Sequence, residues 1–298
     1  MTATATIRIG TRKSRLALAQ ARIAAGAITP VLGTADLVPL STRGDAISTR
    51  RPNAGWVATD GQFTHELERA LLDGRVDLVV HSYKDLPTAP VEGLVIGAIL
   101  ERGDARDCLI AASGGTIGDL PFGARIGTSS PRRAAQLAAA RADLVAVPIR
   151  GNVETRLARL EAGEVDALLL AAAGLDRLGI MVADHARLPF DLVLPAPAQG
   201  ALAIQVRDVD VSLLNALAMI DHPPTRIGVE AERALLRSIG GGCLAPLGAL
   251  GEVSHGRLRL RAAFETRDAA LLRAEASGPA IEAQRIVAEV ARQMVPAA

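Results

Sequence analysis

Short apolar runs bounded by turn residues recur along the chain: ATIRIG, ADLVPLS and VDLVVHS, then ARIGTSS, DLVAVPI and VDALLLAA. Runs of this length, rich in Val, Ile and Leu, predict buried strands. Between them lie segments whose apolar residues recur at helical spacing: SRLALAQARIAAGAI, FTHELERALLDG and PRRAAQLAAARA. Strands alternating with helices predict an α/β fold with largely parallel strands.

The pattern occurs twice. IRIGTRKSRLALAQ, from Ile7, is echoed by ARIGTSSPRRAAQL, from Ala124. VPLSTRGD, ending at Asp45, is echoed by AVPIRGN, ending at Asn152, and LLDGRVDLVVHS, from Leu71, by LEAGEVDALLLA, from Leu160. Strand–glycine–helix grammar can produce one such echo by accident; three in the same order predict two similar lobes, Met1–Leu100 and Glu101–Pro197. LPAPAQGALAIQVR reads as a linker and a strand returning to the first lobe, to which 198–219 then belong. Beyond it the pattern changes. A helix, TRIGVEAERALLRSIG, leads into the glycine-rich loop of SIGGGCLAPLG; two strand-like runs follow, RLRLRAAFET and ALLRAEASG, then a closing helix, AIEAQRIVAEVARQM. This predicts a smaller α+β domain over 220–298. Paired lobes of this kind resemble type II periplasmic binding proteins, which close on a ligand with loops at the carboxyl ends of their strands.

Composition narrows the function. The chain has 298 residues, 49% of them hydrophobic and 2% aromatic, and a formal net charge of +1. That balance argues against a dedicated nucleic-acid binder, so any basic site must be local. Of the 33 basic residues only Lys13 and Lys84 are lysines, so arginine position carries more information than arginine number. Cys108 and Cys243 do not form a disulfide framework, and no Cys/His pair has metal-ligand spacing. The N-terminus lacks an apolar signal region and no apolar run reaches membrane-spanning length. A soluble, reduced, cytoplasmic protein is the expectation.

The chemistry gathers at strand ends. In GTSSPRR, Ser130 is a good N-cap and Pro131 a good first helical residue. Arg132 and Arg133 then sit in a first turn, where the helix dipole disfavours cations unless an anion binds. One reading is a carboxylate or phosphate clamp; the other is two solvated arginines in an arginine-rich chain. RGNVETRLARL repeats the device, with Arg150 ending a strand, Asn152 capping a helix and Arg156 in its first turn. GTRKS places Arg12 and Ser14 correspondingly in the first lobe, and GLDRLG adds Arg177 after a strand. Arginine grips carboxylates bidentately, so the set predicts a ligand with several carboxylates. HSYKDLP supplies the opposite sign: Lys84 and Asp85 follow the buried run VDLVV, and a carboxylate in a basic cleft can stabilise a developing cation or move a proton.

Together GTRKSRLALAQA, TRGD, HSYKDLP, GTSSPRR, RGNVETRL, AAAGLDRLG, PAPAQGALAIQ and GGGCLAPLG resemble the porphobilinogen deaminase (hydroxymethylbilane synthase) family, in the family's order and over almost the whole chain. The resemblance implies that Cys243 carries a dipyrromethane cofactor through a thioether. This primer is not turned over. Four porphobilinogen molecules are added, each losing ammonia, and the product is cut off as hydroxymethylbilane. Asp85 matches the catalytic aspartate. Lys84, Asp45, Thr128, Ser130, Arg132 and Arg133 match cofactor-binding residues. Arg12, Ser14, Arg150, Arg156, Arg177 and Gln199 match residues that bind substrate or the growing chain. The resemblance also implies a monomer.

The segment after TRGD departs from the family, with Trp56 and Asp60 where a lysine-bearing lid is expected. Two other readings compete. A two-lobed small-anion-binding protein without catalysis leaves Cys243 unexplained. A cysteine nucleophile needs a histidine, and His255, in VSHGR, reads as a hairpin turn. Cys108 reads as a buried strand residue.

Overall fold

The computed structural model describes residues 6–42, 64–240, 245–266 and 268–294. Its first stretch runs β1 (Ile7–Arg12), α1 (Arg15–Leu32), β2 (Ala35–Leu40), α2 (His65–Leu72), β3 (Leu78–Ser82) and β4 (Leu94–Ile99). Next come β5 (Asp107–Ala111), β6 (Arg125–Gly127), α3 (Pro131–Ala140), β7 (Val145–Val147), α4 (Val153–Glu161), β8 (Ala167–Ala171) and α5 (Ala172–Arg177). The remainder is β9 (Leu202–Arg207), α6 (Val211–Leu217), α7 (Pro223–Ser238), β10 (Leu247–Ser254), β11 (Arg257–Glu265), β12 (Leu271–Pro279) and α8 (Ala283–Met294). By contacts the chain divides into two compact units: one up to residue 102 with 201–226, the other 103–200 with the chain from 227 onward.

The first unit holds a five-stranded sheet, β2-β1-β3-β9-β4, and the second a four-stranded sheet, β5-β8-β6-β7. The predicted repeat is visible in the pairing. β1 lies between β2 and β3, all parallel, and β6 lies between β7 and β8, all parallel. One ion pair is duplicated with it. Arg8 donates from its backbone N and from Nη2 to Asp77, at 2.8 and 2.7 Å, and from Nη2 to the Gly74 carbonyl at 2.9 Å. Arg125 does the same with Asp166, at 2.7 and 2.9 Å, and with the Gly163 carbonyl at 2.9 Å. Each clamps the start of a central strand to the turn feeding its neighbour.

Both sheets are largely parallel, as the sequence predicts, with one antiparallel strand in each. β9 runs antiparallel to β3 and β4, and β5 antiparallel to β8. The reason is where the chain enters. Tyr83 N donates to the Ala201 carbonyl, and Asp107 pairs with Ala171, so β9 and β5 both begin beside the carboxyl end of a parallel strand and must run back.

Each sheet is covered on both faces, as parallel strands require. α1 and α6 bury Ile9, Ala21, Ile28, Leu78, Ile204 and Leu217 on one face of the first sheet, while α2 places Leu67 and Leu71 against Val76 and Val79. In the second, Ile126, Leu137 and Leu169 form one core and Ile149, Leu160, Leu168 and Leu175 another. Fully burying one such side chain contributes roughly 1.5–3 kcal/mol.

The C-terminal part is an antiparallel sheet, β10-β11-β12, closed by α8 through Ile286, Val287, Val290 and Met294. Sequence reading expected two strands here; β10 is the third. Its pattern is broken by Gly248 and Gly251, and both are glycine because other backbone comes close. A Cβ on Gly251 would lie 2.5 Å from the Gly228 carbonyl oxygen of α7, and one on Gly228 would lie 2.4 Å from the Gly251 oxygen. A strand glycine often marks such an approach. Gly228→Ala should therefore force α7 off β10 and destabilise the protein by roughly 1–3 kcal/mol, read as a lowered urea midpoint.

Candidate functional site

In the first unit, β1 and β3 are adjacent and parallel, so Arg12 and Ser14 leave the same sheet edge as Lys84 and Asp85. Ser14 is the N-cap of α1, its hydroxyl accepting from Ala17 N at 3.2 Å. Lys84 and Asp85 occupy a single 3₁₀ turn, Tyr83–Asp85, directly after β3. Tyr83 is buried and anchors the turn, Lys84 is half-buried, and Asp85 is exposed. Among the described residues Asp85 is ion-paired with no cation. The strand beneath it is held firmly. Gln20 Nε2 donates to Ser82 Oγ at 2.7 Å, and His81 Nε2 lies 2.9 Å from Gln205 Oε1. Burial pushes His81 down to about 4, against the pull of its bond to Gln205, so its ring is neutral at physiological pH.

In the second unit, β7, β6 and β8 are parallel neighbours, and the arginines follow their carboxyl ends. Ser130 caps α3, accepting from Arg133 N at 3.4 Å, with Pro131 at the first helical position. Thr128 is buried and its Oγ1 accepts from Ser130 N at 3.2 Å. Arg132 and Arg133 turn inward, with side chains 4% and 8% exposed. The anion that the sequence argument required is internal. Asp107, fully buried at the start of β5, accepts from Arg132 Nη1 at 2.7 Å and from Arg133 Nη2 at 2.6 Å. Burial alone would raise the Asp107 carboxyl; the two guanidinia outweigh it and hold the group well below the usual carboxylate range. Arg132 Nη1 also donates to the Leu194 carbonyl and Arg133 Nη1 to that of Leu169, at 2.6 and 2.8 Å.

The expectation that these arginines stand open to an external anion is thus corrected in part. One carboxylate faces two guanidinia, which leaves one positive charge in excess. The Nε atoms of Arg132 and Arg133 are buried without an acceptor.

The other expected residues are placed as follows. Arg150 is half-buried in the loop after β7. Asn152 stands at the N-cap of α4, but its side chain makes no capping bond. Arg156 Nε donates to the Gly151 carbonyl at 2.8 Å. Arg177 is not in a loop but is the last residue of α5, where its Nη2 donates to the Gly200 carbonyl at 2.5 Å. Burial pushes Arg177 down to about 10. Gln199 is 0% exposed, and its Nε2 donates to Asp107 Oδ1 at 3.0 Å and to the Ala105 carbonyl at 2.8 Å. Its side chain is thus bonded to the carboxylate that pairs with Arg132 and Arg133. Cys243, Asp45, Trp56 and Asp60 lie outside the described residues; the described chain around Cys243 ends α7 and begins β10.

Two fully buried carboxylates among the described residues escaped the sequence reading. Asp107 opens an apolar run, in RDCLIA, and a charge there was the available signal. Glu232 sits on the apolar face of α7, fully buried. Its Oε2 accepts from Ala198 N at 2.6 Å and its Oε1 from Gly251 N at 2.7 Å. It thereby fixes the loop bearing Gln199, including Ala198 at φ 61.

Comparison with known proteins decides the family. The model described as "Porphobilinogen deaminase, dipyromethane cofactor binding domain" matches residues 7–215, and the "Porphobilinogen deaminase, C-terminal domain" model matches 227–296. The chain belongs to the porphobilinogen deaminase family. The porphobilinogen deaminase of Desulforudis audaxviator is 48% identical over 91% of this chain and 88% of its own length. That of Thermobifida fusca is 48% identical over 88% and 82%, and porphobilinogen deaminase 1 of Streptomyces coelicolor 46% identical over 93% and 89%. Among solved structures, a periplasmic substrate-binding protein from Coxiella burnetii aligns at 17% identity and TM-score 0.44, covering 74% of this chain and 94% of that one. No helix among the described residues is long and apolar enough to cross a membrane.

The family's cofactor is a dipyrromethane. Its acidic side chains suit the donors present: the excess positive charge at Asp107, the two Nε groups without acceptors, and Arg177, which has no carboxylate partner among the described residues.

Asp107→Asn keeps the shape and leaves two buried guanidinia without a counter-ion. At neutral pH it should cost about 3–5 kcal/mol in urea unfolding. The folded carboxyl lies below its unfolded value, about 3.9. The stabilisation is therefore full above that value, declines below it, and is lost as pH falls through the lower folded value. The gap between parent and variant should shrink from about pH 7 to about pH 3.

Proposed function

We propose that in this transferase Asp85 is the catalytic carboxylate and Cys243 the point of cofactor attachment, with the arginines of the strand ends holding the carboxylates of cofactor and substrate. The reaction is the family's: four porphobilinogen molecules and one water give hydroxymethylbilane and four ammonia, the water supplying the hydroxyl when the chain is cut from the primer. The bound dipyrromethane supplies the primer. At each condensation the C–N bond of the substrate's aminomethyl group breaks, ammonia leaves, a C–C bond forms and one pyrrole proton is released.

The observation that carries this reading is the setting of Asp85. It is an exposed carboxylate on a braced turn at a sheet edge, ion-paired with no cation among the described residues. Loss of ammonia develops positive charge on the pyrrole, and a fixed carboxylate nearby lowers that barrier. It also lies within the same turn as Lys84, one of the two lysines.

Lys84, Thr128, Ser130, Arg132 and Arg133 hold the cofactor's carboxylates, with Gln199 acting on the arginine pair through Asp107. Arg12, Ser14, Arg150, Arg156 and Arg177 bind incoming substrate. The helix N-termini at Ser14 and Ser130 supply further backbone N–H donors for anions, and the two hydroxyls O–H donors. In this reading lobe 1 is 1–100 with 198–219, lobe 2 is 101–197, and 220–298 is a domain of its own, a division supported by the separate C-terminal family model. The enzyme works as a cytoplasmic monomer. A binding protein without catalysis would need neither a carboxylate among its anion-binding groups nor a thiol on a glycine loop.

Two measurements test this. Intact-mass spectrometry of the purified protein should show one dipyrromethane beyond the sequence mass, absent in Cys243→Ala; an unmodified, fully active protein would overturn the attachment. Asp85→Asn, carrying an intact cofactor, should still bind porphobilinogen. Its single-turnover ammonia release should fall by ~10²–10⁴-fold or more, and a rate near the parent's would remove Asp85 from the mechanism.

A further inference from the structure

Arg177 ends α5 directly after Asp176. The charge of Asp176 acts on Arg177, opposing the effect of burial. Yet the ion pair that Asp176 makes is with Arg187. Arg187 Nη2 donates to Asp176 Oδ1 at 2.5 Å and Nη1 to Oδ2 at 3.1 Å. The same guanidinium reaches Asp104, Nη1 to Oδ2 at 2.7 Å. Asp104 is gripped in turn by Arg106, through Nε at 3.0 Å and Nη2 at 2.7 Å. The Arg187 side chain is 15% exposed and that of Asp176 40%, so the arginine is the more firmly fixed partner.

The charges do not balance. Arg106, Arg187 and Arg177 are three cations, Asp104 and Asp176 two anions. Four of the five are joined through Arg187. The remaining charge lies on Arg177, whose described hydrogen-bond partner is a neutral carbonyl, that of Gly200.

We propose that Arg187 is a positioning residue that holds Asp176 off Arg177, keeping that guanidinium open to a substrate carboxylate. This rests on the substrate-binding role of Arg177 proposed above. A planar guanidinium can bridge two carboxylates at once, which a lysine ammonium cannot do with the same fork geometry. Without Arg187, Asp104 keeps Arg106, but Asp176 is left one residue from an unmatched, partly desolvated cation. Pairing there would set a protein carboxylate where the substrate's must bind. Such competition acts on binding, so it moves KM and leaves kcat nearly unchanged. A purely structural Arg187, one that only ties α5 to the chain around residue 187, would instead damage the protein whether or not Asp176 carries a charge.

The test is steady-state kinetics with porphobilinogen on the cofactor-loaded enzyme, in Arg187→Gln, Asp176→Asn, their double variant and Arg177→Gln. KM in Arg187→Gln should rise about five- to tenfold, a modest fraction of what a charge-assisted hydrogen bond is worth. Asp176→Asn should have a KM at or below the parent's, and the double variant should return to the parent value. Intact masses at limiting substrate should show fewer added pyrrole units in Arg187→Gln alone. A double variant as impaired as Arg187→Gln would overturn the proposal in favour of a structural role. So would an unchanged KM in Arg187→Gln alongside a raised one in Arg177→Gln. An unchanged KM in Arg177→Gln would remove the substrate-binding reading and this inference with it. Should Arg187→Gln not fold, Arg187→Lys, which can keep one ion pair, should show a smaller rise that Asp176→Asn cancels; no rise would overturn the proposal.

Discussion

The second unit is organised around a single buried carboxylate shared by two buried arginines. Asp107 opens β5, Arg132 and Arg133 open α3, and Gln199 comes from the segment that leads out of the unit. Their bonds extend to the backbone carbonyls of Leu169, Leu194 and Ala105. Charges so thoroughly removed from water are tolerated only when paired and hydrogen-bonded. Every element that supplies a partner is therefore held to a narrow geometry. Glu232 continues the constraint, joining α7 and β10 to the loop that carries Gln199. The described chain of α7 and β10 is thus tied, through buried polar groups, to the arginines proposed to hold the cofactor.

Arginine suits this architecture for a reason beyond charge. Its five donors let one side chain satisfy a carboxylate and a carbonyl together, as Arg133 does, or two carboxylates, as Arg187 does. The clamps Arg8–Asp77 and Arg125–Asp166 use the same capacity, each adding a turn carbonyl to its acid. Most of these ion pairs are structural. The cations proposed to bind ligand are those left over: the excess charge beside Asp107, and Arg177. The site proposed for a polyacid is what an incomplete internal neutralisation leaves.

The repeat explains why the basic groups collect where they do. In both units the central strand is flanked by two parallel partners, so three strand ends and their following helices open on one edge. In both, an incoming strand enters at that same edge and runs antiparallel, as β9 and β5 do. The linkers therefore lie beside the loops proposed to bind ligand, and Gln199 and Gly200 come from one of them. Asp85 breaks the repeat: the first unit offers an acid after its β3, whereas the second offers Arg177 after its β8.

Much of this was legible in the sequence because it is set locally. Apolar periodicity placed the repeated strands and the long helices, and Ser14 and Ser130 cap as their position before a helix demands. The ordered echoes reappear as equivalent strands, and Asp85 is at a strand end as HSYKDLP implied. What escaped was decided by partners distant in the chain. Whether Arg132 meets solvent or Asp107 depends on a residue 25 positions away, and whether Gln199 faces a ligand or that same carboxylate on one 92 away. β10 was hidden because its glycines answer to close neighbours from elsewhere, Gly251 to Gly228 and Gly248 to Leu194, rather than to strand propensity. The directions of β5 and β9 follow from where the chain crosses between lobes, and periodicity carries no record of that. Local chemistry wrote the donors and acceptors into the sequence. Only the tertiary structure decided which of them neutralise each other and which remain for a ligand, because that balance is struck between side chains brought together by folding.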